Sequence, residues 1–141
     1  MASQSAGTVA PTGQTPGLID TDVLIDAARN HADAVQFLVA RHAANDARIS
    51  VISAMELMVG CRNKNELQST NQFLASIIVT PLSESISLKA RELIETFFLS
   101  HGLLIPDSLI AATALDFGAA LFTKNLKHFQ MIPGLTVIRP Y

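Results

Sequence analysis

The sequence predicts an α/β fold: one domain in which helices cover a mostly parallel sheet of four to five strands. Strand-like and helix-like runs alternate from Leu18 onward, the order required by a parallel sheet with helical crossovers. Apolar residues make up 49% of the 141 residues, enough for one core at this size. Proline and glycine fall at the joints between runs, as at Pro81, Gly102, Gly118 and Pro133-Gly134.

Leu18 to Leu24 reads as the first strand. His31 to Ala44 follows as a helix, with Ala34, Phe37, Leu38, Arg41 and His42 at helical spacing. Arg48 to Ile52 is a β-branched run and the second strand. Ser53 opens a helix that Leu57, Val59 and Cys61 carry toward Arg62, and Ser53-x-x-Glu56 has capping-box spacing. A further helix is expected over Glu66 to Ser76, then a third strand over Ile77 to Leu82, stopped at Pro81. Ser85 to Ser100 sets Ile86, Ala90, Leu93, Ile94 and Phe97 on one helical face, ended by Gly102. Pro106-Asp107 opens a helix with Ile110, Ala111, Ala114 and Leu115 as a small-residue face, closed by Gly118. Ala119 to Thr123 and Leu135 to Ile138 are the last two strands.

Residues 1–17 carry no charge and are dominated by Ser, Thr, Gly, Gln and Pro. They are expected to be a disordered leader or cloning remnant, which leaves 18–141 as the domain. No run approaches the roughly 18 apolar residues of a membrane span, and no export signal is visible, so a cytoplasmic protein without membrane contact is expected. The lone Cys61 excludes an intrachain disulfide and a cysteine zinc site and reads as an inert small hydrophobe. A net charge of −2 is not the global basic signature of many nucleic-acid binders. A local basic rim is still available from Arg62, Lys64, Lys124, Lys127 and Arg139.

Three apolar stretches each deliver one carboxylate: Leu18-Ile19-Asp20, Ser53-Ala54-Met55-Glu56 and Leu104-Ile105-Pro106-Asp107. Taking a carboxylate out of water is costly unless it is paired or binds a cation, so three of them argue for a shared ion. All three fall near the carboxyl edge of the expected sheet, where ligands of parallel sheets bind. Mg²⁺ or Mn²⁺ suits oxygen donors and keeps several waters, so a few carboxylates suffice. Such an ion lowers the pKa of a water, orients it for in-line attack on phosphorus and offsets charge on the leaving oxygen. Two of the acids also have structural uses, Glu56 in the capping box and Asp107 at the positive end of a helix dipole. Asp20, inside an apolar strand, has none. Asp22 either shares that strand face or caps the next helix, and Asp26 is expected to face solvent. Asp116 falls on the opposite face of its helix from Asp107.

In order, the motifs are Leu-Ile-Asp20-Thr21-Asp22-Val-Leu-Ile, Ser50-x-x-Ser53-x-x-Glu56-Leu-x-x-Gly60, Asp107-x-x-Ile110-Ala-Ala-Thr-Ala and Thr123-x-Asn125-x-x-His128-Phe129. With them the chain resembles the PIN-domain ribonucleases, most of all the VapC toxins of bacterial toxin–antitoxin pairs, from Leu18 to the end of the sequence. The resemblance implies a three-layer α/β/α sandwich and Mg²⁺- or Mn²⁺-dependent RNA cleavage. It also implies inhibition by a cognate antitoxin, and a homodimer. By position Asp20, Glu56 and Asp107 match the family's acidic metal site, and Thr21 and Thr123 its accessory hydroxyls. Asp22 stands where Asn is common. The fourth acidic position falls in Thr123-Lys124-Asn125-Leu126-Lys127-His128, which holds no carboxylate, so Asn125 or His128 would substitute.

Two other functions fit parts of the same pattern. Asp20-Thr21-Asp22 approximates the opening motif of haloacid-dehalogenase-like phosphatases, with Asp20 as nucleophile, although no late acidic pair follows. The missing fourth acid would also suit a catalytically degenerate PIN domain that binds RNA or protein. Phe97, Phe98, Leu99, Leu103 and Leu104 are candidates for a dimer or antitoxin interface.

Overall fold

The structure is a computed structural model and describes residues 16–141. Among these, five short strands alternate with six α-helices: β1 (Gly17–Ile19), α1 (Thr21–Ala28), α2 (Ala32–Ala43), β2 (Arg48–Ser50), α3 (Val51–Val59), α4 (Lys64–Leu74), β3 (Ile78–Thr80), α5 (Glu84–His101), α6 (Ile105–Phe117), β4 (Ala120–Phe122) and β5 (Val137–Ile138). A single 3-10 turn, Leu126–His128, lies between β4 and β5.

β1 pairs in parallel with β4, β4 with β5, and β2 with β3. β1 also lies against β2, which sets the hydrogen-bonded pair β3-β2 beside the three-stranded sheet β1-β4-β5. Successive strand residues point to opposite faces, and that alternation builds the layers. Leu18 and Leu121 pack with Ile86, Ala90 and Leu93 of α5 and with Ile110, Ala111 and Ala114 of α6. Ile19, Ile49 and Phe122 turn the other way, onto Val23 and Leu24 of α1, Ala54 of α3 and Leu74 of α4. The result is an α/β/α sandwich, as the motif order implies. Among the described residues, no helix is long and apolar enough to cross a membrane.

Most of the expected leader lies outside the described residues, but its last residue, Gly17, belongs to β1 and pairs with Ala120. A Cβ at Gly17 would lie 2.1 Å from Cε2 of the Phe122 ring, so the close approach of backbone to ring requires glycine.

The first strand is shorter than the expected span of Leu18 to Leu24. Oδ1 of Asp20 accepts the Thr21 N–H at 2.8 Å, Asp20 caps α1, and the chain turns helical there. Val23, Leu24 and Ala27 are then buried at helical spacing. An apolar run this short fits a strand or a buried helix equally by its pattern. Likewise α3 begins at Val51: Ser50 accepts the Ile52 N–H at 3.0 Å, so Val51 and Ile52 are helical despite their β-branched side chains. Ser53 therefore lies inside the helix, and the expected Ser53–Glu56 capping box does not form.

Candidate active site

The parallel strands bring the chemistry to one edge. Asp20 directly follows β1, Thr123 directly follows β4, and Ser50 ends β2 as the chain enters α3, the helix of Ser53 and Glu56. Asp20 is 6% exposed. Besides the cap, its Oδ2 accepts the Thr123 hydroxyl at 2.8 Å. Thr123 in turn accepts the Asn125 N–H at 3.0 Å. Asp22, in the first turn of α1, accepts the Lys124 N–H at 2.9 Å through Oδ2. It neither shares a strand face with Asp20 nor caps the helix. Its Oδ1 is buried and has no hydrogen-bond partner among the described residues.

Thr21 links the first helix to α3. Its Oγ1 lies 2.6 Å from Glu56 Oε1 and 2.8 Å from Ser53 Oγ. The carboxylate can only accept, so the Thr21 proton serves Glu56 and the Ser53 hydroxyl is left to donate to Thr21. Ser53 is fully buried, and its use here is packing and hydrogen bonding toward Thr21, not capping. Glu56 is thus freed of its expected structural use. Asp107 sits in the first turn of α6, one-fifth exposed, with His128 Nδ1 at 3.4 Å from its Oδ2. The 3-10 turn carries His128 there. Asn125 offers its backbone to Thr123, while its exposed side chain bonds none of the acids.

The acids feel one another. Burial, then the charge of Asp22 and more weakly that of Asp107, raise the pKa of Asp20 to about 7 against the hydrogen bonds of Thr123 and Thr21. Burial also raises Asp107; His128 opposes the shift, and Glu56 and Asp22 add to it. The donors are all oxygens, one buried carboxylate oxygen has no partner, and a buried acid is held among like charges. This set fits a hard divalent cation. Among the described residues no three Asp, Glu, His or Cys side chains are drawn into a ready-made cage. Such a site would meet an ion partly through waters, as Mg²⁺ sites do.

The expected basic rim is only partly open. Lys64 and Lys127 are exposed. Arg62 forms an exposed bridge to Glu66 at 2.6 Å. Lys124 instead turns its ammonium to Asp26 Oδ2 at 2.5 Å, so Asp26 does not face solvent as expected. Asp116 accepts from Ser85, away from the site. Glu56 also borders a groove of about 850 Å³ between α1, α3 and α4, with Arg29, Arg62 and Cys61 on its walls. The motifs missed Ser53's bond to Thr21, and nothing in the sequence marks Tyr141, which bonds Asp26.

An α/β/α domain with an acidic cluster at the carboxyl edge of its sheet defines the class. The profile of the PIN domain matches residues 17–134. The chain is 36% identical over 119 residues to Ribonuclease VapC10 of Mycobacterium tuberculosis, covering 84% of this chain and 89% of that protein. It is 35% identical over 121 residues to Ribonuclease VapC19 of the same organism, covering 84% and 95%. Its fold is similar to a chain of a toxin-antitoxin complex from Klebsiella pneumoniae, with a TM-score of 0.72 and 33% identity over 89% of this chain and 98% of that one. The chain belongs to the PIN-domain family. That membership leaves the phosphatase alternative without support, and both oxygens of Asp20 are hydrogen-bonded instead of being presented for attack.

Proposed function

We propose that this protein is a divalent-metal-dependent endoribonuclease of the toxin type, active in the cytoplasm and inhibited by a cognate antitoxin. The observation that carries this reading is the buried Asp20 with Asp22 and Asp107 in its field, in a chain 36% identical to a ribonuclease. Asp20, Asp107 and Glu56 would hold Mg²⁺ or Mn²⁺, with Asp22 Oδ1 as a further donor. When bound, the ion supplies Lewis acidity at the phosphate and makes a nearby water more acidic.

The chain's own groups do the rest. The Thr123 hydroxyl, the Lys124 N–H and the Thr21 hydroxyl hold Asp20, Asp22 and Glu56 in fixed orientations. His128 meets Asp107 through Nδ1 and leaves Nε2 for an RNA phosphate. Lys64, Lys127 and Arg62 contribute to backbone binding, since the exposed Arg62–Glu66 bridge is easily exchanged for a phosphate. Exposed Phe98, Leu104 and Ile105 border a cavity of about 480 Å³ that ends at Pro106, the residue before Asp107, and with the exposed Leu99 they suit a homodimer contact.

The test is cleavage of a single-stranded RNA by purified, antitoxin-free protein with Mg²⁺, Mn²⁺ or EDTA. Asp20→Asn and Asp107→Asn are each expected to lower metal-dependent cleavage at least about 100-fold with the fold retained. A second reading, a degenerate PIN domain that binds RNA or protein without cleaving it, draws on the missing fourth acid. It is the correct one if the wild-type chain binds RNA but cuts none with either ion.

A further inference from the structure

Lys124 is held at both ends by α1. Asp22 and Asp26 are four residues apart and so share a helix face, one turn from each other. Asp22 takes the backbone N–H of Lys124 at 2.9 Å, and Asp26 takes its ammonium at 2.5 Å. The same Oδ2 of Asp26 accepts the hydroxyl of Tyr141 at 2.7 Å. The Tyr141 ring lies 6.0 Å from the ammonium and 5.2 Å from the His31 ring. Arg139 completes the enclosure, its Nη1 donating to the Lys124 carbonyl at 3.1 Å.

We propose that Tyr141, Asp26 and Lys124 form a latch that positions the turn 123–125 on the acidic edge, making Tyr141 and Asp26 positioning residues for Asp22 and Asp20. This inference rests on the proposed metal-dependent ribonuclease. The turn supplies the Thr123 hydroxyl to Asp20, the Lys124 N–H to Asp22 and the Asn125 N–H to Thr123. Its opposite side is gripped by the latch, so the latch holds against α1 the donors that orient Oδ2 of each carboxylate. Lys124 is therefore a structural cation and not a phosphate contact. The proton inventory agrees: Lys124 and Tyr141 hold Asp26 below the usual carboxylate range, and burial with the bond to Asp26 pushes the Tyr141 phenol up.

Tyr141 is the only tyrosine and there is no tryptophan, so absorbance titration of the phenol reads the latch alone. In metal-free full-length protein, Asp26→Asn should bring that titration back toward the ordinary value of about 10. Tyr141→Phe keeps the ring and removes only the hydroxyl. It should speed amide exchange at Lys124 by about tenfold or more with core exchange unchanged, and weaken Mn²⁺ binding about threefold or more. Wild-type exchange at Lys124 in both variants overturns the latch, whatever the activity does. Faster exchange with unchanged Mn²⁺ affinity overturns its positioning role. A wild-type chain that neither binds Mn²⁺ nor cleaves RNA overturns the proposed function instead, and exchange at Lys124 still decides the latch.

Discussion

Asp20 holds each of its oxygens against a donor and yet is a strained anion, because burial and the charge of Asp22 outweigh the two hydrogen bonds and raise its pKa to about 7. An unfolded chain releases that proton near the usual 3.8, whereas the folded chain keeps it to about 7. Folding thus takes up a proton between these values, and this acid makes the metal-free protein less stable as pH rises through that window. Asp107, also raised, acts in the same direction. Asp20→Asn keeps a side-chain oxygen for the cap and removes the charge. In EDTA at pH 8 it should raise Tm by about 3 °C or more, with a clearly smaller rise at pH 5, where the window has been only partly crossed, and Mn²⁺ should stabilise the wild type more than the variant. Thermal scans at the two pH values check this; a variant less stable than wild type at pH 8 would mean that the Asp20 charge is compensated within the protein itself.

At the scale of elements, β1 is three residues long and depends on close approach to its neighbours. A Cβ at Gly17 would strike the Phe122 ring, which has little room to move: Phe37 packs against it edge-on at 4.9 Å, and the Arg41 guanidinium lies 4.7 Å over it. Gly17→Ala should cost about 1–3 kcal/mol, measurable by urea unfolding, through the overpacking of a buried ring. The helix α5 was legible from its apolar spacing, and the αL glycines Gly102 and Gly118 end α5 and α6 where expected. The ends of β1 and β2 were not legible. Asp20 and Ser50 act there as caps, and capping depends on one side-chain hydrogen bond, which competes with a β-branched or apolar pattern that reads equally as strand.

The whole molecule leaves an apolar surface beside its acidic edge. Of the five residues expected to form an interface, Leu103 is buried and Phe97 packs on the core, whereas Phe98, Leu99 and Leu104 are exposed. Ile105, 67% exposed, extends the patch toward Asp107. If this face joins two copies, sedimentation should give a dimer for the wild type and a monomer for the double variant Leu99→Glu, Leu104→Glu. A monomeric wild type at tens of micromolar would remove the homodimer from the proposed function.

Apart from α1, whose first residues read as strand, the sequence by itself determined the alternation of elements, much of what they bury and the identity of the acids, because periodicity and composition are local properties of the chain. Four ordered motifs were enough to place it among PIN domains. Only the tertiary structure decided what surrounds each acid. Thr123 reaches Asp20 across 103 positions, Thr21 reaches Glu56 across 35, and Tyr141 reaches Asp26 across 115. No local pattern encodes such meetings, since they exist only after the parallel strands have stacked and brought their carboxyl ends to one edge. For the same reason, the sequence pattern could not assign the ammonium of Lys124 to Asp26, or distinguish Ser53 as a cap from Ser53 as a buried partner of Thr21.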